Sequence, residues 1–395
     1  MSMFSHVHPT IDFATLGDRA RHASDADVRR ILARGRAISL EDFAALLSPA
    51  ASVHLEALCR LSRAATQKFF GKTIRLFAPI YLSNECVNIC RYCGFSRNND
   101  IPRITLPVDH VEREVRLLAA RGFRSLLVVA GEHPKYVSNG YVETVLRRLL
   151  PIMPSLALEL GPLETQDYVP MVRAGAEGLV VYQETYDEPT YRDLHTAGPK
   201  KHYAWRMDTP ERAYAAGFRR LGIGALYGLA DWRYEALSVA AHARHLLRTC
   251  WKAQVNISLP RMRPAAGGFA PKFHMSDREL VQTIAAYRLL LPHCGLVLST
   301  REPPDLRDGL VPLGITTMSA GSSTEPGGYG AHFDETTWTP VGEQPGEQFH
   351  IADERPPQAI AAMIRGHGYE PVWKDFDQAL VSEGEPAELA LSPRN

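Results

Sequence analysis

Three of the six cysteines in this chain fall within one short stretch, where Cys86, Cys90 and Cys93 have the spacing C-x3-C-x2-C. Three thiolates at this spacing can each bind one iron of a cubane [4Fe–4S] cluster. The fourth iron is then left without a protein ligand, so a substrate or a cofactor can bind to it. The spacing therefore predicts a catalytic cluster with these three cysteines as its ligands.

Two other uses of the thiols remain open. A zinc site usually needs four ligands, commonly as two Cys/His pairs. Cys59, Cys250 and Cys294 stand singly, but His133 could complete such a site. A structural disulfide would leave one of the three clustered cysteines unpaired. Free thiols, and no secretory signal in residues 1–20, predict a reducing, cytoplasmic setting.

Composition narrows the class of partner. The 44 basic side chains balance 44 acidic ones without a run of like charges, so neither nucleic acid nor an anionic membrane is indicated. No apolar stretch approaches the ~20 residues of a membrane span. A chain of 395 residues can form one large α/β domain or two smaller ones. We therefore expect small molecules, and other proteins, as partners.

Eight short apolar runs alternate with segments of helical periodicity. This alternation predicts a parallel sheet with right-handed crossovers, and eight repeats close a TIM-type (β/α)8 barrel. A six-strand partial barrel with two extra strands stays open, because Pro303, Pro304 and Pro312 leave only a short seventh helix. The barrel is predicted over residues 73–370, after an N-terminal helical extension (1–72) and before a C-terminal tail (371–395). The predicted strands are Arg75–Leu82, Ser125–Gly131, Leu156–Leu160, Gly178–Tyr182, Gly222–Leu226, Gln254–Leu259, Gly295–Thr300 and Gly314–Ser319.

Polar residues gather where these strands end. Active sites of such barrels lie at the C-terminal ends of the strands, and the cysteine loop follows the first strand on that same rim. Side chains of this type are out of place in a packed core, so we expect them to form the site. The rim residues are Glu132, Glu159, Glu184, Arg261, Arg301, Ser319 and Ser322.

Tyr182 and Glu184 end the fourth strand and are the catalytic candidates. Strand alternation directs both to one side. An acid that faces inward could fix a substrate amine or phenol, or move a proton. Alternatively, Glu184 could form an ion pair with an arginine of the barrel.

Arg301 ends the seventh strand and is the candidate for substrate binding. A planar guanidinium can bind a carboxylate through two parallel hydrogen bonds. The small hydroxyl residues Ser319 and Ser322 would complete a site for an amino-acid carboxylate. The alternative is a salt bridge from Arg301 to Glu302 or Glu184.

The cysteine loop resembles that of radical S-adenosylmethionine (SAM) enzymes, in which SAM binds the open iron. Tyr92, between the last two cysteines, and Phe95 belong to this resemblance. Such enzymes often have Gly-Gly-Glu at the end of strand two, where this chain has Ala130-Gly131-Glu132. The resemblance implies that five residues contact the cofactor: Tyr92, Phe95, Glu132, Glu159 and, in the adenine pocket, Ile223.

From Leu76 to Asp377 the chain resembles one family, the 2-iminoacetate synthases of bacterial thiamine biosynthesis. The cysteine loop alone indicates only the superfamily, and the later blocks indicate the family. These blocks are Tyr182–Tyr186, Gly222–Leu229 with Asp231–Arg233, Pro260–Pro264, Leu298–Glu302, Ser319–Ser322 and Pro371–Asp375.

The resemblance implies a radical SAM lyase. A [4Fe–4S] cluster and SAM would generate a 5′-deoxyadenosyl radical that abstracts hydrogen from L-tyrosine. The Cα–Cβ bond then breaks, which gives 2-iminoacetate (dehydroglycine) and p-cresol. The implied partners are a thiazole synthase protein and an external one-electron donor such as flavodoxin.

Two related enzymes share this barrel. The tyrosine lyase of [FeFe]-hydrogenase maturation carries a second cluster loop near its C-terminus, and this chain has no cysteine after Cys294. Tryptophan lyases share the barrel and an arginine clamp. Because substrate choice depends on a few pocket residues, another aromatic amino acid such as tryptophan stays open as the substrate.

Overall fold

Eight parallel strands form a closed barrel in the computed structural model, which describes residues 3–331 and 345–373. Pairing of the first strand with the eighth, from Arg75 opposite Thr317 to Phe77 opposite Ser319, closes the sheet. The predicted (β/α)8 barrel is therefore confirmed, and the six-strand alternative is wrong. The strands are β1 (Thr73–Ser83), β2 (Ser125–Ala130), β3 (Ser155–Glu159), β4 (Ala176–Val180), β5 (Arg220–Gly224), β6 (Gln254–Ser258), β7 (Gly295–Leu298) and β8 (Thr317–Ser319).

Helices cover the outside of the barrel. The seventh crossover has only the seven-residue helix Pro304–Leu310, whose start is favoured by a proline in the first turn. The crossover after β4 is longer and carries three helices. The barrel helices are Val108–Ala120, Asn139–Leu149, Thr165–Arg173, Glu188–Leu194, Tyr203–Met207, Thr209–Ala216, Trp232–Thr249, Asp277–Leu290, Pro304–Leu310 and Pro357–Gly366, with short turns at His8–Thr10, Pro199–Lys201, Val311–Leu313 and Gly328–Ala331.

Successive side chains of β1 point alternately into the barrel and outward to the core between the sheet and the helices. Phe77, Pro79 and Tyr81 line a cavity inside the barrel. The intervening side chains lie in the hydrophobic core between sheet and helices: Leu76, Ala78, Ile80 and Leu82. The upper part of the barrel therefore keeps room for a ligand.

The N-terminal extension packs against the outside of the barrel. It contacts helices Trp232–Thr249 and Asp277–Leu290, and the Gln282 amide donates hydrogen bonds to the carbonyls of Leu46 and Ser48 at 2.8 and 2.9 Å. Its helices are Phe4–Val7, Phe13–His22, Asp25–Arg34, Leu40–Leu46, Pro49–Val53 and Leu55–Phe70.

The far end of the described chain returns to the sheet. The strand Glu370–Val372 pairs with the start of β1 and straddles the predicted boundary between residues 370 and 371. Most of the predicted tail, residues 374–395, lies outside the described residues. The division into extension, barrel and tail stays a prediction.

Candidate active site

The cysteine loop follows β1 and is fixed by protein contacts on two sides. A short strand in it, Ile89–Cys90, pairs antiparallel with His195–Ala197 from the β4 crossover. On the other side, the planar guanidinium of Arg103 satisfies several backbone carbonyls at once. It donates hydrogen bonds of 2.7–3.0 Å to the carbonyls of Asn84, Phe95, Ser96 and Asn99.

The three cysteines of this loop are free thiols, of which Cys90 is buried and Cys86 and Cys93 are half-buried. Burial raises the pKa of Cys90 to about 12, and it also raises the pKa of Cys93. Thiols that ionise so reluctantly act as thiolates only beside strong positive charge, such as the iron of a cluster. In the described residues, no group of three or more His, Cys, Asp or Glu side chains could hold a single metal ion. Three free thiols on one loop fit the three protein ligands of a cubane cluster.

Tyr92 and Phe95 lie in different surroundings on the loop, one polar and one apolar. The Tyr92 hydroxyl hydrogen-bonds to His195 Nε2 at 2.8 Å, and its ring lies 5.6 Å from Lys200 Nζ. Phe95 packs edge-on against Tyr81, with 5.8 Å between ring centroids, in a cluster with two of the thiols. Tyr92 lines a cavity, whereas Phe95 supports the loop by packing.

Glu132 lies against the cysteine loop. Its Oε2 accepts a hydrogen bond from Asn88 Nδ2 at 2.7 Å, and its carbonyl accepts one from Val87 N at 2.8 Å. A Cβ on Gly131 would overlap the Glu85 carbonyl, so this close approach requires glycine. Glu132 therefore lies directly beside the loop that carries the three thiols, and its contact with the cofactor stays a prediction.

Glu184 is a buried carboxylate between two cations. Lys200 Nζ lies 2.7 Å from Glu184 Oε1, and the Arg206 guanidinium lies 3.3 Å from it. Burial alone would raise the pKa of Glu184, but these two charges outweigh it and lower the pKa. The ion-pair alternative thus holds, with Lys200 and Arg206 as partners. Glu184 also has φ of 73°, a conformation that residues other than glycine rarely adopt.

Tyr182 and Glu159 complete this side of the barrel. The Tyr182 hydroxyl donates a hydrogen bond to Ser258 Oγ at 3.2 Å. Burial, together with the charge of Glu184, raises the pKa of Glu159 to about 7 against the opposing charge of Arg301. Glu159 is therefore the carboxyl of the site whose charge changes near neutral pH.

Arg301 is held by an aromatic ring. Its guanidinium carbon lies 3.3 Å from the ring centroid of Phe349. The expected alternative partner, Glu302, instead binds Arg261 at 3.0–3.1 Å. Among the described residues, no carboxylate forms an ion pair with Arg301, whose fork of donors is available for a ligand.

The two predicted serines lie beside Arg301 in the same cavity. Ser319 Oγ accepts a hydrogen bond from the Thr300 amide at 3.1 Å. Ser322 Oγ is buried and has no hydrogen-bond partner in the part of the chain that the structure describes. A buried hydroxyl without a partner is costly, so a ligand group at this point would satisfy it.

Two cavities meet on this rim. The first cavity, beside Arg301, has an apolar wall that includes Phe77, Leu127 and Val129. The second cavity is lined by Tyr92 and Cys93. The lining residues that both cavities share are Glu159, Tyr182, Pro260, Arg301, Gln348 and Phe349.

Ile223 is the predicted site residue that the structure does not bring to this rim. Arg220 and Gly222 of the same strand line a cavity inside the barrel. Alternation directs Ile223 to the opposite face, where it is 1 % exposed in the core between sheet and helices. The contact of Ile223 with adenine stays a prediction.

Sequence reasoning missed five residues that shape the site. Lys200 and Arg206 come from the long β4 crossover, which contains no motif. Arg103 lies beyond the cysteine pattern, and Gln348 and Phe349 follow β8 by almost thirty residues. An unusually long crossover at a barrel rim was the only available signal.

The fold and the site together define a radical SAM protein. Residues 80–238 match the radical SAM superfamily, and residues 258–370 match the biotin and thiamin synthesis associated domain. The chain is 41 % identical over 381 residues to 2-iminoacetate synthase of Escherichia coli (strain K12), which covers 96 % of this chain and 98 % of that protein. This chain belongs to the 2-iminoacetate synthase family.

Solved structures support the same class. The crystal structure of HydG, a maturase of the [FeFe]-hydrogenase, superposes with a TM-score of 0.85 at 31 % identity, over 92 % of this chain and 80 % of that chain. Methylornithine synthase, at 20 % identity and a TM-score of 0.64 over 90 % of this chain and 97 % of that one, shares the fold. The predicted cofactors, a [4Fe–4S] cluster and SAM, are confirmed as those of the superfamily.

Among the described helices, none has the length and apolarity that a membrane span requires.

Proposed function

We propose that this chain cleaves the Cα–Cβ bond of L-tyrosine to 2-iminoacetate and p-cresol, for the thiazole moiety of thiamine. One observation carries the proposal: Arg301, with no acidic partner among the described residues, and the unsatisfied Ser322 hydroxyl meet in a cavity that adjoins the cysteine loop. This is the arrangement that an amino-acid carboxylate requires beside a radical source. The curated relative of 41 % identity carries the name 2-iminoacetate synthase, and no observation favours tryptophan.

The protein's share of the mechanism is binding and orientation. Cys86, Cys90 and Cys93 would hold the cluster, which with SAM supplies the 5′-deoxyadenosyl radical. Arg301 binds the tyrosine carboxylate and Ser322 donates a hydrogen bond to it.

Glu184 and Tyr182 are the proposed catalytic residues. Because Lys200 and Arg206 keep Glu184 ionised, its carboxylate can fix the substrate ammonium rather than donate a proton. The Tyr182 hydroxyl, oriented by Ser258, lies on the wall that both cavities share. Glu159 and Glu132 are proposed to contact SAM, with Tyr92 beside it.

Anaerobic reconstitution tests this proposal. The enzyme with iron and sulfide, SAM, dithionite and L-tyrosine should form 5′-deoxyadenosine, p-cresol and glyoxylate, the hydrolysis product of 2-iminoacetate. A parallel reaction with L-tryptophan should form no aromatic fragment. If 5′-deoxyadenosine forms without p-cresol, the chain is a radical SAM enzyme but the proposed substrate is wrong.

The raised pKa of Glu159 predicts a pH dependence of SAM binding. Its carboxylate form accepts hydrogen bonds from cofactor hydroxyl or ammonium groups, and this form prevails only above its pKa of about 7. SAM affinity of the reconstituted enzyme should therefore rise up to about tenfold between pH 6 and pH 8. Anaerobic equilibrium dialysis measures it. Glu159→Gln should bind SAM weakly and without this pH dependence; an unchanged profile in the variant would assign the titration to another group.

The partner proteins and the cellular setting rest on family membership. A thiazole synthase would receive the 2-iminoacetate, and a one-electron donor such as flavodoxin would reduce the cluster. Both partners, and a cytoplasmic location, stay predictions.

A further inference from the structure

The segment 345–350 crosses the rim and contacts the cysteine loop near the start and near the end of that loop. The Gly94 amide donates a hydrogen bond to the Gln348 carbonyl at 3.1 Å, and Asn84 Nδ2 donates one to the Gly346 carbonyl at 3.3 Å. A Cβ on Gly94 would overlap the Gln348 carbonyl. The residue after Cys93 must therefore be glycine for this segment to lie where it does.

Backbone contacts fix the segment on its other side. The Gln348 amide donates to the Thr324 carbonyl at 3.0 Å, and Thr324 Oγ1 donates to the Phe349 carbonyl at 2.8 Å. The His350 amide donates to the Pro264 carbonyl at 2.9 Å. The segment is thus held between the loops that follow β6 and β8, and its side chains have defined directions.

Both central side chains of the segment point into the site. The Tyr81 hydroxyl donates to Gln348 Oε1 at 2.8 Å, which leaves Gln348 Nε2 facing Cys93 Sγ at 3.9 Å. The next ring, Phe349, stacks on the Arg301 guanidinium at 3.3 Å. Since no described acid orients Arg301, this cation–π contact is what sets the direction of its donors.

We propose that Gln348 and Phe349 are positioning residues of this site: Phe349 aims Arg301 at the substrate carboxylate, and Gln348 donates a hydrogen bond to the Cys93 sulfur of the cluster. The inference rests on the proposed function and extends it. One segment then couples the geometry of the substrate to the electronic properties of the cluster. Phe349 acts on the substrate through Arg301, and the adjacent Gln348 acts on the cluster through Cys93.

Phe349→Leu tests the substrate half. Without the ring, Arg301 is no longer held, and the KM for tyrosine should rise about tenfold while kcat changes less than about twofold, as expected for a contact worth a cation–π interaction. Phe349→Tyr keeps the ring and should restore most of the parent KM. Phe273→Leu, at an exposed phenylalanine, is the matched control and should leave KM unchanged.

Gln348→Leu tests the cluster half without any substrate. Hydrogen bonds to cluster sulfurs raise the reduction potential, so their loss should lower it. An EPR-monitored redox titration of the reconstituted variant should show a midpoint potential below that of the parent. Tyr81→Phe keeps Gln348 but removes its anchor, and we expect a smaller shift in the same direction.

The outcomes separate this inference from the proposed function. If the parent enzyme forms no p-cresol, the proposed function fails and the role of Phe349 falls with it, while the redox titration still decides the role of Gln348. If the parent is active but Phe349→Leu has the parent KM, Phe349 does not position Arg301. An unchanged midpoint potential in Gln348→Leu overturns the hydrogen bond to Cys93.

Discussion

Cys90→Ala is expected to fold like the parent but to lose the iron–sulfur cluster and all SAM cleavage. Cys90 is 3 % exposed, and removal of one sulfur from the core costs about 1 kcal/mol of stability, which a domain of this size tolerates. The cluster, in contrast, has three protein ligands and would keep two. Iron and sulfide content after anaerobic reconstitution, with the visible absorbance of the cluster, measures the loss. Formation of 5′-deoxyadenosine with SAM and dithionite should fall to background.

Cys59→Ala is the matched control for this prediction. Cys59 is a half-buried free thiol on the helix Leu55–Phe70, outside the barrel. Its replacement should leave iron content and SAM cleavage as in the parent. A full complement of iron and sulfide in Cys90→Ala would show that Cys90 is not a ligand. Bound zinc in the parent after purification, with no cluster formed on reconstitution, would contradict the whole radical interpretation.

The barrel could be predicted because its signals are local. Each strand is a short apolar run, and segments of helical periodicity mark the crossovers. The run predicted at Gln254–Leu259 is the strand Gln254–Ser258. In the structure a capping box of Ser276 and Glu279 starts the helix Asp277–Leu290, a local signal of the same kind.

Site residues at the ends of strands could be predicted from the sequence, whereas site residues on loops that fold back over the rim could not. Glu159, Tyr182, Arg301 and Ser319 follow from the strand register, since a parallel barrel gathers these positions on one rim. Lys200 lies sixteen residues after Glu184 on an irregular crossover, so no period connects the two. Such long-range loop contacts depend on tertiary packing, which a spacing pattern does not contain.

The glycines beside Ile223 have a packing role in the structure. A Cβ on Gly222 would crowd Val180 of the neighbouring strand, and one on Gly224 would meet the carbonyl of Ser258. Small residues are thus required inside the barrel, and the branched side chain beside them serves the core.

Arg301→Gln is expected to raise the KM for tyrosine by about 150-fold without loss of thermal stability. Removing one member of a buried, hydrogen-bonded charge pair with a ligand costs about 3 kcal/mol, which corresponds to that factor. Because no described acid pairs with Arg301, the free protein is relieved of a costly charge, which offsets the loss of the stacking contact with Phe349. Arg301→Lys keeps the charge but not the planar fork, so its KM should lie between those of the parent and Arg301→Gln. Steady-state p-cresol formation measures KM, and differential scanning fluorimetry measures stability.

Arg261→Gln is the comparison for Arg301→Gln. Arg261 forms a structural ion pair on the same rim on which Arg301 is proposed to bind the ligand. Arg261 binds the buried Glu302, and its loss leaves that carboxylate without its partner. We therefore expect a large fall in melting temperature, from about 3 kcal/mol of lost stability, with a much smaller rise in KM. The two arginines thus predict opposite signatures, one in substrate affinity and one in stability. If Arg301→Gln instead melts early and binds tyrosine normally, Arg301 supports the barrel and the carboxylate site lies elsewhere.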